Sequence, residues 1–130
     1  VPSIREPLGN VCLEAGLCRV PVLAANVDGL PEIIENKISG ELIDATEEIS
    51  INTVQGAISL PEFVVNPVKG NLSAPKQINP SILAKRILKL SSQDDKLKYY
   101  SNELNKKVKN KFSIDRYRHE LHRIYREIDI

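Results

Sequence analysis

Two glutamates near the start of the chain are the residues best placed to do chemistry. Glu6 and Glu14 stand eight residues apart, and Pro7-Leu8-Gly9 follows the first of them. A helix that begins near Asn10 places Glu6 in the loop before the helix and Glu14 about one turn inside it. Carboxylates in such positions can accept hydrogen bonds from the hydroxyl groups of a sugar or a ribose.

The backbone between the two glutamates suits an anion. The N–H groups at the start of a helix have no partner within it, and the helix dipole favours negative charge there. Gly9 lets a ligand approach the backbone, because it has no Cβ. The N–H groups expected to face a cleft for a sugar diphosphate belong to Leu8, Gly9, Asn10 and Val11. The spacing alone is weak support, since acidic residues near a helix N-terminus are favourable in any protein.

The residues around this loop predict the first half of an α/β unit. Residues 1–3 are expected to end a strand, and Asn10 is expected to cap a helix. Residues 20–25 form a nearly continuous apolar run, which is typical of a strand covered on both faces of a parallel sheet.

A second strand and helix follow. Residues 26–29 are predicted to form a loop, Pro31 suits the start of a short helix, and residues 41–43 favour a strand. The fold class expected over residues 1–43 is therefore α/β, a Rossmann-like parallel sheet with crossover helices in βαβα order.

The rest of the chain divides into two parts of one domain, 1–130. Residues 44–79 are interpreted as an irregular insertion at the periphery, with β-prone pieces at 49–54 and 62–65. Residues 80–130 are predicted to be C-terminal helices.

Polar residues at three places indicate where those C-terminal helices begin. Asn79-Pro80 starts the first, residues 92–95 cap the second, and Ser113 caps the third. The third carries one apolar stripe that needs a docking surface. Its members are Ile114, Tyr117, Leu121, Ile124, Tyr125 and Ile128.

Composition and charge limit the class of protein. The chain has 130 residues, of which 42% are hydrophobic and 27% charged, so it can form a core and is not a disordered tail. Residues 1–65 hold ten acidic and three basic residues (−7), whereas residues 66–130 hold seven acidic and fifteen basic ones (+8). The lysines at 96–111 follow a helical pattern with few aromatics, which favours a solvated helix face and no nucleic-acid partner.

The sequence contains neither a membrane-spanning segment nor a recognisable metal-binding motif. No uncharged apolar run approaches the roughly 18 residues of a membrane span, so a cytoplasmic protein is expected. His119 and His122 lack the spacing of a zinc motif, and no metal ligands are predicted. Because the chain opens at Val1 and contains no Met, we expect it to be cut from a longer protein.

Four segments of the chain belong together in their order along the sequence. They are Pro2-Ser3-Ile4-Arg5-Glu6-Pro7-Leu8-Gly9-Asn10-Val11-Cys12-Leu13-Glu14-Ala15, Val20-Pro21-Val22, Asn26-Val27-Asp28-Gly29-Leu30-Pro31-Glu32-Ile33-Ile34 and Gly40-Glu41-Leu42-Ile43. Taken together, they resemble the C-terminal domain of retaining GT-B glycosyltransferases of family 4 (group 1). The resemblance is dense over residues 2–43 and resumes loosely in the helices at 80–128.

The resemblance implies a role for each residue of the loop. Glu6 would be the first glutamate of the family's E-x7-E motif, the catalytic one, facing the donor sugar, and Glu14 the second, holding the ribose hydroxyls. The backbone amides at positions 8 to 11 would meet the donor sugar and its diphosphate. The reaction would be hexosyl transfer in glycan biosynthesis, from a nucleotide sugar to a glycan or lipid-linked acceptor. It would need no metal and no other cofactor.

Some features depart from the family's pattern. Leu8 stands where the family commonly has Phe, and Arg19 and Asp28 stand where it commonly has Gly. The segment 44–79 is longer than the usual connection. The family's acceptor domain lies before the point where this chain starts, so the chain alone is expected to be inactive.

Two other functions fit the same residues. One is a non-catalytic module that binds a nucleotide sugar, and the other is a nucleotide-sugar epimerase with the GT-B fold. The four arginines of the last helix also leave open a peripheral contact with the inner face of the membrane, although acidic residues are interleaved with them. They are Arg116, Arg118, Arg123 and Arg126.

Overall fold

The computed structural model describes residues 1–49 and 59–128. In chain order the elements are α1 (Asn10–Leu17), β1 (Leu23–Ala25), α2 (Leu30–Ile33), β2 (Glu41–Ile43), β3 (Val64–Asn66), β4 (Asn71–Ser73), α3 (Pro80–Ser91), α4 (Asp94–Lys111) and α5 (Ile114–Ile128).

A small parallel sheet lies at the centre of the first half. β1 pairs with β2 in parallel, with Leu23 opposite Glu41 and Ala25 opposite Ile43, and α2 lies on the connection between them. A parallel pair needs such a crossover because its two strands run in the same direction. The α/β fold class with a parallel sheet and crossover helices, followed by C-terminal helices, is confirmed.

The predicted strands at the start of the chain are shorter than expected. Residues 1–3 form no strand, although Val1 bonds to β1 through its N-terminal ammonium and its carbonyl, at 2.6 and 2.9 Å. The predicted strand at 20–25 narrows to β1, because Val20 donates its N–H back to Ala15 at the end of α1 and Pro21 has no N–H.

Helix α4 packs against α1 and closes the core. A Cβ at Gly16 of α1 would lie 2.7 Å from Val108 and 3.0 Å from Leu104, so only glycine allows this close approach. Asn105 of α4 donates to the carbonyls of Gly16 and Leu17 at 2.8 and 3.1 Å. The bond to Leu17 satisfies a carbonyl at the end of α1 that lacks a helical partner, whereas the carbonyl of Gly16 also accepts from the N–H of Arg19 at 3.2 Å.

A buried carboxylate joins the sheet to the C-terminal helices. Glu41 in β2 is 3% exposed and accepts hydrogen bonds from Lys96 (2.7 Å), Tyr100 (3.1 Å) and Arg86 (3.1 Å). Burial by itself would raise the pKa of Glu41, but these three donors outweigh it and hold the pKa below its ordinary value. The prediction that the lysines at 96–111 form only a solvated face is therefore wrong for Lys96.

The segment 44–79 is more closely integrated than predicted. Its hairpin pairs β3 with β4 in antiparallel register, and Val64 of β3 and Ile78 belong to the buried core. The expectation that this segment lies wholly at the periphery is wrong at these two residues. The β-prone piece at 62–65 corresponds in part to β3, whereas the piece at 49–54 lies almost entirely outside the described residues.

The helix starts in the second half are partly as predicted. Asn79 caps α3 by accepting from Ser81 and Ile82, and the hydroxyl of Ser113 accepts from Arg116 at 3.2 Å. The second helix begins within the predicted run 92–95, with Gln93 at the capping position, but Gln93 makes no side-chain cap bond.

The apolar stripe of α5 lies on a single helix, as predicted. No residue of α5 between Ile114 and Ile128 is buried, and Ile114 and Tyr117 are 74% and 63% exposed. Across residues 1–49 and 59–128, no helix is long and apolar enough to cross a membrane.

Candidate functional site

The loop before α1 turns on Gly9. Gly9 has a φ of +93°, and a Cβ there would lie 2.7 Å from the side chain of Leu30. Residues with a Cβ rarely adopt this left-handed backbone, so glycine is required for both conformation and space. Gly9 holds the capping position of α1 and Asn10 is the first helical residue, so the predicted cap by Asn10 is wrong.

Glu6 lies in this loop, as predicted, and its carboxylate turns back onto the backbone. Its Oε1 accepts a hydrogen bond from the N–H of Gly9 at 3.1 Å. The sequence predicted a free N–H at Gly9, and the structure corrects this, because a carboxylate three residues earlier is within reach. The side chain of Glu6 is half-buried.

The N–H groups at positions 8, 10 and 11 differ from that of Gly9 in their hydrogen bonding. Among the described residues, no protein oxygen accepts from the N–H of Leu8, Asn10 or Val11. All three side chains are exposed, and Leu8 and Val11 are 44% and 51% exposed. In the described part of the chain, the start of α1 therefore has N–H groups without a protein acceptor, as helix N-termini commonly do.

Glu14 lies within α1, as predicted. Its side chain is exposed, and in the described part of the chain it makes no hydrogen bond or ion pair to another side chain. The two glutamates therefore differ, since Glu6 is held by the loop and Glu14 extends from the helix into solvent.

Asp28 organises the loop, and the sequence analysis missed this role. Its Oδ2 accepts from the N–H of Glu6 at 2.9 Å, and its Oδ1 accepts from the N–H of Val65 in β3 at 2.6 Å. Its backbone has a φ of +45°, and that of Arg19 a φ of +56°. Both positions have left-handed backbone, which is the conformation that glycine adopts more readily than other residues. The sequence did offer one signal for this position, because Asp28 stands where the family that the sequence resembles commonly has glycine.

Gly29 completes the hold on Glu6. Its N–H donates to the carbonyl of Glu6 at 3.2 Å, and a Cβ at Gly29 would lie 2.2 Å from the carbonyl oxygen of Pro7. With Asp28 bound to the N–H of Glu6, both backbone groups of Glu6 are bonded to the segment after β1. The peptide that carries this carboxylate is thus fixed by residues more than twenty positions away.

A groove of about 380 Å³ opens near the carboxyl ends of β1 and β2, on the side of the β3–β4 hairpin. Open α/β sheets bind ligands at this edge. Glu6 and Glu14 are not among its lining residues. The lining is Asn26, Val27, Ala45, Thr46, Val64, Val65, Asn66, Pro67, Lys69, Ser73, Ala74 and Lys76.

The histidines lie elsewhere. His119 and His122 are exposed on α5. Within residues 1–49 and 59–128, no three His, Cys, Asp or Glu side chains are grouped so that they could hold a metal ion.

Comparison with known proteins identifies relatives of the segment that carries this loop. Residues 1–59 match the family model described as "Glycosyl transferases group 1". Over 42 residues the chain is 48% identical to the alpha-maltose-1-phosphate synthase of Mycobacterium tuberculosis (strain ATCC 25618 / H37Rv), covering 32% of this chain and 11% of that protein.

Two further relatives are D-inositol 3-phosphate glycosyltransferases. That of Segniliparus rotundus is 47% identical over 45 residues, which are 35% of this chain and 10% of the relative. That of Mycolicibacterium gilvum is 40% identical over 58 residues, 45% of this chain and 13% of the relative. The matched part spans only about a tenth of each relative's length. The N-terminal segment of this chain, with the loop of Glu6 and Gly9, is thus similar to group 1 glycosyltransferases.

Proposed function

We propose that this chain is the donor-binding part of a retaining GT-B glycosyltransferase of family 4. The complete enzyme transfers a hexosyl group from a nucleotide-diphosphate sugar to a glycan or lipid-linked acceptor. The acceptor domain belongs to a longer chain, and the reaction takes place in the cytoplasm or at the inner face of the membrane.

The observation that carries this proposal is how the Glu6 loop is held. Both backbone groups of Glu6 are bonded to residues after β1, which keeps one carboxylate at the start of α1. Binding a transition state depends on such fixed groups, because a mobile carboxylate would have to be ordered at each turnover. The same loop lies within the segment that matches the group 1 glycosyltransferases.

Each residue has a chemical role in this proposal. Glu6 is the catalytic residue and faces the donor sugar, where its negative charge stabilises positive charge that develops at the anomeric carbon. Glu14 accepts hydrogen bonds from the two ribose hydroxyls.

The backbone at the start of α1 receives the rest of the donor. The N–H groups of Leu8, Asn10 and Val11 bind the sugar and the diphosphate, aided by the helix dipole. Gly9 gives the ligand access, and its N–H holds the carboxylate of Glu6 in place. The helix dipole, the N–H groups and basic side chains of the complete enzyme compensate the diphosphate charge, so the enzyme needs no metal.

Substitution of the two glutamates in the complete protein tests the proposal. With UDP-glucose, ADP-glucose and GDP-mannose as probes, the wild type should release nucleoside diphosphate from one of them and bind it in calorimetry. Glu6→Ala should lower that rate by about a hundredfold or more while the protein remains folded. Glu14→Ala should mainly weaken donor binding. Turnover should survive addition of EDTA.

A matched control distinguishes the loss of any surface carboxylate from the loss of a carboxylate in the candidate site. Glu35→Ala removes an exposed carboxylate just after α2 and should keep wild-type turnover. Wild-type rates in Glu6→Ala would remove the assignment of Glu6. NMR of the product decides retention, and a rearranged nucleotide sugar in place of a glycoside would identify an epimerase.

A further inference from the structure

The side chain of Asp28 connects the hairpin β3–β4 to the Glu6 loop. Asp28 Oδ2 accepts from the N–H of Glu6 at 2.9 Å, and Asp28 Oδ1 accepts from the N–H of Val65 at 2.6 Å. The backbone N–H of Asp28 also donates to the carbonyl of Val65 at 3.1 Å. One carboxylate thus bridges two segments that are about sixty residues apart in the sequence.

The hairpin side of this bridge has a specific geometry. Val65 faces Leu72 in the antiparallel register, and both of its backbone groups bond to Asp28 and not to β4. In such a ladder, residues opposite each other alternate between pairs that bond to one another and pairs whose groups point away. Val65 belongs to the second kind, so its bonds to Asp28 extend the hairpin toward the loop.

The hairpin is itself anchored in the protein. Val64, next to Val65, is 5% exposed and belongs to the hydrophobic core, so the strand cannot shift without disturbing packed side chains. A rigid strand therefore holds one oxygen of Asp28, and the other oxygen holds the backbone of Glu6.

We propose that Asp28 is a positioning residue through which the hairpin in segment 44–79 sets the placement of Glu6 for catalysis. The proposal rests on the function given above for Glu6 and adds the segment that controls it. We assign Asp28 a positioning role because both of its carboxylate oxygens are bonded to backbone groups. The longer connection of this chain thus becomes part of the catalytic apparatus.

Proline substitution in the complete protein tests the bridge without changing Asp28. Val65→Pro removes the N–H that donates to Asp28 Oδ1 but no bond between β3 and β4, and edge strands tolerate proline. Leu72→Pro is the matched control, because Leu72 lies opposite Val65 and its N–H points away from β3. Hydrogen exchange of the Glu6 amide and steady-state kinetics are measured for both.

Two substitutions of Asp28 complete the series. Asp28→Gly removes both acceptors and keeps the left-handed backbone, whereas Asp28→Asn keeps one acceptor oxygen. A positioning role predicts a graded loss of kcat, by about ten- to a hundredfold in Asp28→Gly and less in Asp28→Asn, with a nearly constant donor KM. The double variant Asp28→Gly with Val65→Pro should be no slower than Asp28→Gly alone, because both changes remove the same bond.

Hydrogen exchange of the Glu6 amide and kcat together distinguish a failure of the Asp28 bridge from a failure of the proposed function. Faster exchange at Glu6 in Val65→Pro, with a lower kcat, supports the bridge, and unchanged exchange overturns it. Faster exchange with an unchanged kcat overturns the positioning role. If the wild type turns over no nucleotide sugar, the proposed function fails and the catalytic role of Asp28 fails with it, whereas the exchange data still decide whether the bridge exists.

Discussion

The carboxylate of Glu41 in β2 accepts a 2.7 Å hydrogen bond from the ammonium group of Lys96 in α4. The two residues are 55 positions apart, and the carboxylate is almost completely buried, with 4% of its side chain exposed. This pair ties the parallel sheet to the helix that closes the core. Its strength can be measured independently of any activity.

Replacing the cation of this pair should destabilise the protein. Lys96→Met leaves the buried carboxylate of Glu41 with one charged partner fewer, which is costly in a poorly solvated place. Because the Lys96 side chain is itself 38% exposed, solvent screens the interaction and we expect a loss of about 1 kcal/mol. Urea unfolding measures it. Lys98→Met, an exposed lysine of the same helix, is the control, and an equal loss in both variants would contradict the prediction.

The same carboxylate should make stability depend on pH in the acid range. Burial would raise the pKa of Glu41, but Lys96, Tyr100 and Arg86 together lower it from its ordinary value of 4.5. A lowered folded pKa means that the stabilisation is complete above the unfolded pKa and is lost as the pH falls through the folded one. The difference in unfolding free energy between wild type and Glu41→Gln should therefore narrow below about pH 4.5.

Denaturation of both proteins from pH 7 downward measures that difference. The pKa of Lys96 is raised, chiefly by its hydrogen bond to Glu41, so its contribution is present below 10.5 and is lost at higher pH, far from the acid window. A difference that stays constant down to pH 3 would show that the pKa of Glu41 is not lowered.

Alanine substitution at two glycines with left-handed backbone should distinguish the cost of backbone strain from the cost of a steric clash. Gly9 and Gly70 have φ of +93° and +65°, but only at Gly9 would a Cβ meet a neighbour, the buried Leu30 at 2.7 Å. Gly70→Ala should cost about 1 to 2 kcal/mol from backbone strain alone. Gly9→Ala adds overpacking and should cost about 2 to 4 kcal/mol. Thermal unfolding compares them, and equal losses would show that the contact with Leu30 relaxes freely.

The sequence alone predicted the features that depend on neighbours along the chain. The apolar run around Leu23 and the strand at Glu41 give the parallel pair, since a strand covered on both faces needs uninterrupted apolar residues. Asn79 and Ser113 cap helices because their short polar side chains reach backbone N–H groups two or three residues away. The predicted start of a helix near Asn10 likewise placed Glu6 in a loop and Glu14 in a helix, as the structure shows.

Only the tertiary structure decided which distant groups meet. Nothing near Asp28 in the sequence shows that its two oxygens bond to Glu6 and Val65, and nothing near Lys96 shows that it reaches Glu41. Such contacts depend on how strands and helices pack, and a carboxylate can be held in the interior only where several donors converge. The residues of the candidate site are therefore close together in the sequence, whereas the position of Glu6 is set by partners from other parts of the chain.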